Sequence, residues 1–150
     1  MAQRGSVYRV ASTDGTHFTG ALAQNAAKLE SLPMPGGKRG RYRIVGAVVV
    51  SSDNLAWEFW VERTATPHNA DVNLDVFCGR WSWVAGDAVR IGAAGNYYYY
   101  IDGLDIAVED TDETGLLNLE LVNRSAAAKT AFAAGGHFRL ELLLEPTLGW

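Results

Sequence analysis

The sequence predicts an all-β protein: a single antiparallel β-sandwich, or a jelly-roll or barrel domain, behind an N-terminal arm. Three observations predict it. From residue 40 onward, short segments alternate apolar and polar side chains with period two, as half-buried strands do. Clusters of turn-forming residues separate these segments at short intervals. A single cysteine, Cys78, excludes an intrachain disulfide, so stability must come from a packed core and any partner subunits.

The arm and linker occupy residues 1–39 and the β domain residues 40–150. Within the arm, "GSVYRVAS" reads as an edge strand. Phe18, Leu22, Ala26 and Leu29 stand near i, i+4 spacing, which fits a short helix ending before Pro33. "PMPGGKRGR" reads as a linker, and such arms dock on neighbouring subunits or simply tether. The first domain strand, "RYRIVGAVVV", sets Tyr42, Ile44, Val48 and Val50 on one face and Arg41, Arg43, Val45 and Val49 on the other. Trp57, Phe59 and Val61 share the apolar face of the next, opposite Glu58, Trp60 and Glu62. "DVNLDVF" (71–77) places Val72, Leu74 and Val76 inward. Leu117, Leu119 and Leu121 form the apolar side of "LLNLELV", and Phe138, Leu140, Leu142 and Leu144 that of "FRLELLLE". The Ala-rich stretch between Asn123 and Phe138 fits one or two helical turns stopped by Gly135 and Gly136.

Turns fall between these runs. "SSDN" (51–54) reads as a hairpin joining the first two domain strands, and "TATPHNA" (64–70) as a longer loop. In "YYYYIDG" (97–103), Asp102-Gly103 is a two-residue hairpin signal. Such a turn pairs Ile101 with Leu104, Tyr99 with Ile106 and Tyr97 with Val108 on one apolar face. Tyr98 and Tyr100 then stand on the opposite face, free for a partner, a sugar or a neighbouring sheet.

The composition, 48% hydrophobic and 20% charged, is that of a globular domain. No apolar run approaches the ~18 residues of a membrane span, and no signal peptide is visible. The net charge of −4 argues against a protein that coats nucleic acid. Ten arginines against three lysines suit protein interfaces, although a GC-rich genome biases usage the same way.

Catalytic and metal patterns do not assemble. Glu58 and Glu62 flank Trp60 on one strand face, but four residues put them roughly 13 Å apart, beyond the reach of a glycosidase pair unless a neighbouring strand supplies a partner. "EDTDETGLLNLEL" offers Asp110, Asp112 and Thr114 at calcium-loop spacing, yet Leu121 stands where the closing Glu belongs. His17, His68 and His137 are scattered, and Cys78 reads as a buried thiol. The sequence therefore argues for a non-enzymatic protein without a metal or cofactor. The candidate contact residues are the rings of Trp60, Trp81, Trp83, Tyr98 and Tyr100 and the cations Arg39 and Arg41 in "GGKRGRYR".

An arm, a compact β domain, no disulfide and no signal peptide together resemble the small capsid decoration (cement) proteins of tailed bacteriophages. The resemblance is architectural, covers residues 40–150 plus the arm, and carries over no residue. It implies a virion structural protein assembled in the host cytoplasm. It also implies a homo-oligomer, a trimer in that family, that binds a major capsid protein or other virion subunits, with no direct nucleic-acid or membrane contact. The second reading is a carbohydrate- or receptor-binding sandwich such as a fibre tip, and the third a jelly-roll glycosidase.

Overall fold

A computed structural model describes residues 7–36, 40–64, 77–92, 95–110, 113–129 and 137–147. Among the described residues ten strands succeed one another: β1 (Tyr8–Ala11), β2 (Ala27–Pro33), β3 (Arg41–Ser51), β4 (Trp57–Glu62), β5 (Phe77–Trp83), β6 (Val89–Ile91), β7 (Asn96–Ile101), β8 (Ile106–Glu109), β9 (Leu116–Asn123) and β10 (Phe138–Pro146). They form two antiparallel sheets packed as a sandwich. The six-stranded sheet runs β1-β10-β3-β7-β6, with β8 also on β3, and the four-stranded sheet runs β2-β9-β4-β5.

The alternation read from the sequence decides the core. Trp57, Phe59, Val61, Leu119, Leu121, Phe138, Leu140, Leu142 and Leu144 have no exposed surface, and Leu117 is 2% exposed. Each such side chain contributes about 1.5–3 kcal/mol by leaving water. Rings interlock at the centre: Trp57 meets Phe138 edge-on at 5.0 Å, and Trp81 stacks on Phe59 at 5.1 Å.

The N-terminal segment is no arm. β1 pairs with β10 and β2 with β9, closing one edge of each sheet. Phe18, Leu22, Leu32 and Met34 are core residues. The expected helix is absent: Gly20 and Asn25 take positive φ (84° and 60°), which breaks a helix, and Ala27–Pro33 pairs with β9 instead. Lys129 fastens this segment from across the fold, its Nζ donating to the Phe18 carbonyl at 2.5 Å and the Gly20 carbonyl at 3.1 Å.

Two expected hairpins are also corrected. "SSDN" carries the chain from β3 in one sheet to β4 in the other. The crossing is held by Tyr99, whose buried hydroxyl lies 2.8 Å from Asn54 Oδ1 and 3.0 Å from the Leu55 carbonyl. "DG" does not reverse the chain. A type I′ turn needs positive φ at both central residues, and only Gly103 has it (67°). β7 and β8 therefore run on along the same strand, β3: Ile101 lies opposite Ala47 and Ile106 opposite Ile44. Residues 102–105 bulge out against Val45 and Gly46, anchored by Leu104 N–H to the Val45 carbonyl at 3.0 Å.

The register of β3 against β10 also shifts at this point, between Leu143 and Leu144. The facing of β3 consequently reverses within the strand. Tyr42 and Ile44 point to the core before the bulge, Ala47 and Val49 after it, and Val48 and Val50 turn outward, contrary to unbroken alternation.

The expected strand over 71–77 lies outside the described residues except for Phe77, which opens β5. Of the Ala-rich stretch, 124–129 are described and contain no helix.

Candidate binding face

The outer face of the six-stranded sheet is built from two cross-strand rows. One is Ala11–Glu141–Val48–Tyr100, the other Arg139–Val50–Tyr98–Val89. Each tyrosine stands opposite a valine, an aromatic–β-branched pair that suits a pleated surface. The face is open: Tyr100 is 50% and Val89 63% exposed. Tyr98, Val48, Val50 and Leu143 line a shallow depression of about 470 Å³. Its charged border is a ladder in which Glu141 accepts from Arg9 at 2.7 Å and lies 3.8 Å from Arg139. The Tyr98 and Tyr100 expectation, outward phenols on one face, thus has a structural basis different from a hairpin: β3 supplies the facing.

The other ring candidates separate. Trp81 and Trp83 do share a face, but it is the core face, and each is only 4% exposed. Trp83 Nε1 donates to the Tyr100 carbonyl at 3.2 Å, tying β5 to the opposite sheet. Neither offers a ring to a partner. Trp60 points outward on the four-stranded sheet, on the far side of the molecule from Tyr98. It is half-buried, 5.2 Å from Phe77 and with the Arg80 guanidinium 5.8 Å from its centroid. Arg41, exposed, pairs with Glu109 at 2.9 Å. Arg39 lies outside the described residues.

The four-stranded sheet hides its carboxylates. Glu58 is 5% exposed and held by Arg80 Nη1 at 2.9 Å and Arg124 Nε at 2.6 Å. Burial pushes its carboxyl up, but the two guanidiniums outweigh that and hold it below the usual range. The neighbouring-strand partner that sequence could not name is Glu120 of β9, beside Glu62. Glu62 is 2% and Glu120 5% exposed. Burial, and then Glu120, push the Glu62 carboxyl up to about 8. Among the described residues no amide, hydroxyl or cationic donor reaches either Glu62 oxygen, whose contact is with the Glu120 carboxyl, and Asn118 Nδ2 opposite finds no acceptor. Glu58 and Glu62 are therefore not the solvent-facing row their alternation suggests. Sequence holds the signal only in part, since outward glutamates on two strands say nothing of their register.

The remaining candidates serve structure. Asp110 accepts from the Thr114 and Gly115 amides at 3.0 and 2.9 Å, fixing the chain just before β9, while Asp112 lies outside the described residues. His17 Nδ1 accepts from Thr13 N–H at 2.9 Å, and His137 Nδ1 lies 2.6 Å from Asp14. Among the described residues no three His, Cys, Asp or Glu side chains converge as a metal site. No protein-family model matches the chain, and no curated protein is significantly similar to it.

Proposed function

We propose that this protein is a non-enzymatic structural subunit that associates with copies of itself and with a larger assembly through the outer face of its six-stranded sheet. The observation that carries the reading is the open aromatic–aliphatic surface of Tyr98, Tyr100, Val89, Val48 and Val50. Exposed apolar patches bordered by charge mark interaction sites, and tyrosine with arginine is the composition interfaces favour. A capsid decoration role on a bacteriophage virion, with a major capsid protein as partner, suits such a subunit. The integrated N-terminus leaves this outer face, rather than an arm, as its docking element.

The test is molar mass by light scattering across a concentration series, for the native chain and for Tyr100→Lys. The expected result is an oligomer for the first and a monomer with unchanged circular dichroism for the second. A native chain that stays monomeric at high concentration and fails to sediment with phage capsids overturns the proposal. The sugar-binding reading is favoured by one observation, two phenols two residues apart beside Arg139 and Glu141. Saturable glycan binding lost in Tyr98→Ala would establish it instead.

A further inference from the structure

At one side of the sandwich the two sheets meet where β5 approaches β8. Gly79 permits the approach: a Cβ there would lie 2.9 Å from both Cγ1 and Cγ2 of Ile106. A cleft of about 270 Å³ opens at this seam, with Arg41 and Arg43 of β3, Arg63 just past β4, Cys78 of β5 and Glu109 of β8 on its walls. That volume corresponds to roughly nine waters. Arg41, Arg43 and Arg63 thus line one cleft, with Glu109 as the carboxylate on its described walls, in a chain of net charge −4.

Their charge is weakly committed. Arg41 pairs with Glu109 at 2.9 Å and Arg43 with Asp105 at 2.8 Å, but both bridges are exposed at about half or more of each side chain. Exposed bridges contribute about 0–1 kcal/mol and re-pair readily. Arg63 has no ion pair among the described residues, and its side-chain contact is with the Cys78 thiol. Cys78 does not supply a counter-charge, because burial pushes its thiol up and keeps it protonated. Glu62, near enough to Cys78 to raise it further, is itself neutral over much of the physiological range. Two carboxylates, Glu109 and Asp105, thus face three arginines, which leaves one positive charge in excess, and the planar fork of arginine suits the paired oxygens of carboxylate and phosphate.

We propose that this seam cleft is an oxyanion site in which Arg63, with Arg41 and Arg43, binds a phosphate or carboxylate group. The group comes from a free oxyanion or from an acidic segment of a partner subunit. The site is separate from the outer face assigned above and stands or falls independently of it.

Cys78, the chain's one thiol, serves as reporter. Its alkylation by N-ethylmaleimide, a neutral reagent, is to be followed with inorganic phosphate, with a hexaglutamate peptide, and with sodium chloride at matched ionic strength. The melting temperature is to be recorded in the same three solutions. At least threefold slower alkylation and a raised melting temperature are expected with an occupying anion, both lost in Arg63→Gln and reduced in Arg43→Gln. An effect of phosphate alone identifies a free oxyanion, and one of the peptide alone a partner's carboxylates. Equal rates and equal melting temperatures in all three solutions overturn the proposal, as does an anion effect that survives in Arg63→Gln.

Discussion

The two outer faces of the sandwich reverse the ordinary relation between polarity and exposure. On the six-stranded sheet the outward rows carry valine and tyrosine beside Arg139 and Glu141, and the apolar side chains at their ends are open: Tyr100 is half exposed and Val89 more so. On the four-stranded sheet the outward rows contain Glu58, Glu62, Asn118 and Glu120, and all four are buried. Part of the difference is pairing: Glu58 is held by Arg80 and Arg124, and Asn118 Oδ1 accepts from Ser31 at 2.6 Å, whereas Glu62 is accommodated by keeping its proton beside Glu120. The valine–tyrosine rows have no such pairing, and the partner contact proposed above is placed there for that reason. An outward residue is thus not the same as an exposed one.

The comparison breaks most sharply at the edges that frame both faces. Removal of residues 1–35 takes away β1, β2 and the core side chains Phe18, Leu22, Leu32 and Met34, and loss of folding is expected, read as loss of near-ultraviolet circular dichroism. A truncated chain with native spectra would restore the arm interpretation. Phe18→Ala alone should cost about 3–5 kcal/mol in denaturant unfolding, as large core truncations do.

The closed face has a pH signature. Glu62 takes up its proton more readily folded than unfolded, its carboxyl standing at about 8 against an ordinary 4.5. Stability from this group is therefore full below about pH 4.5 and falls as pH rises from there through 8. Each unit of displacement is worth about 1.4 kcal/mol, so Glu62→Gln should raise stability at pH 8.5 by a few kcal/mol and flatten the profile. Lys129 has the opposite sign: burial, with Lys28 adding to it, lowers its ammonium from 10.5 to about 8 against the opposing pull of Asp53 and Asp14. Its contribution rises with pH above about 8. Together the two predict a stability minimum near pH 8, measurable by denaturant titration at half-unit intervals. A profile that climbs steadily from pH 5 to 8 would contradict the Glu62 assignment.

The open face should respond least. Tyr98→Ser and Arg139→Gln leave the core untouched, and each should change unfolding free energy by less than about 0.5 kcal/mol, as surface substitutions do. A larger loss in a monomeric preparation would mean that the face supports the fold rather than a partner.

How much of this was legible depends on whether the signal is local. Leu117–Leu119–Leu121 and Phe138–Leu140–Leu142–Leu144 are core because alternation along one strand assigns each side chain a face without knowing the neighbour. Trp81 and Trp83 show the limit. Their shared face is readable, but whether that face meets another sheet or solvent is not. The Glu62–Glu120 pair and the cleft of Arg41, Arg43 and Arg63 join residues far apart in the chain, and nothing local marks them. "YYYYIDG" shows the same limit from the side of turn chemistry. Asp-Gly permits a hairpin, but β3 offered a longer partner, and the bulge kept Tyr99, Ile106 and Val108 against the core.

By itself, then, the sequence determined an all-β chain, the members of most strands and the division of the tyrosines into two faces, because period-two patterning is a property of neighbours in the chain. Which sheet each strand joins, that residues 8–34 belong to the sandwich rather than to an arm, and which outward face stays open are matters of tertiary structure. Those outcomes turn on register and on what covers a surface, and both are set by contacts between residues that the chain order keeps far apart.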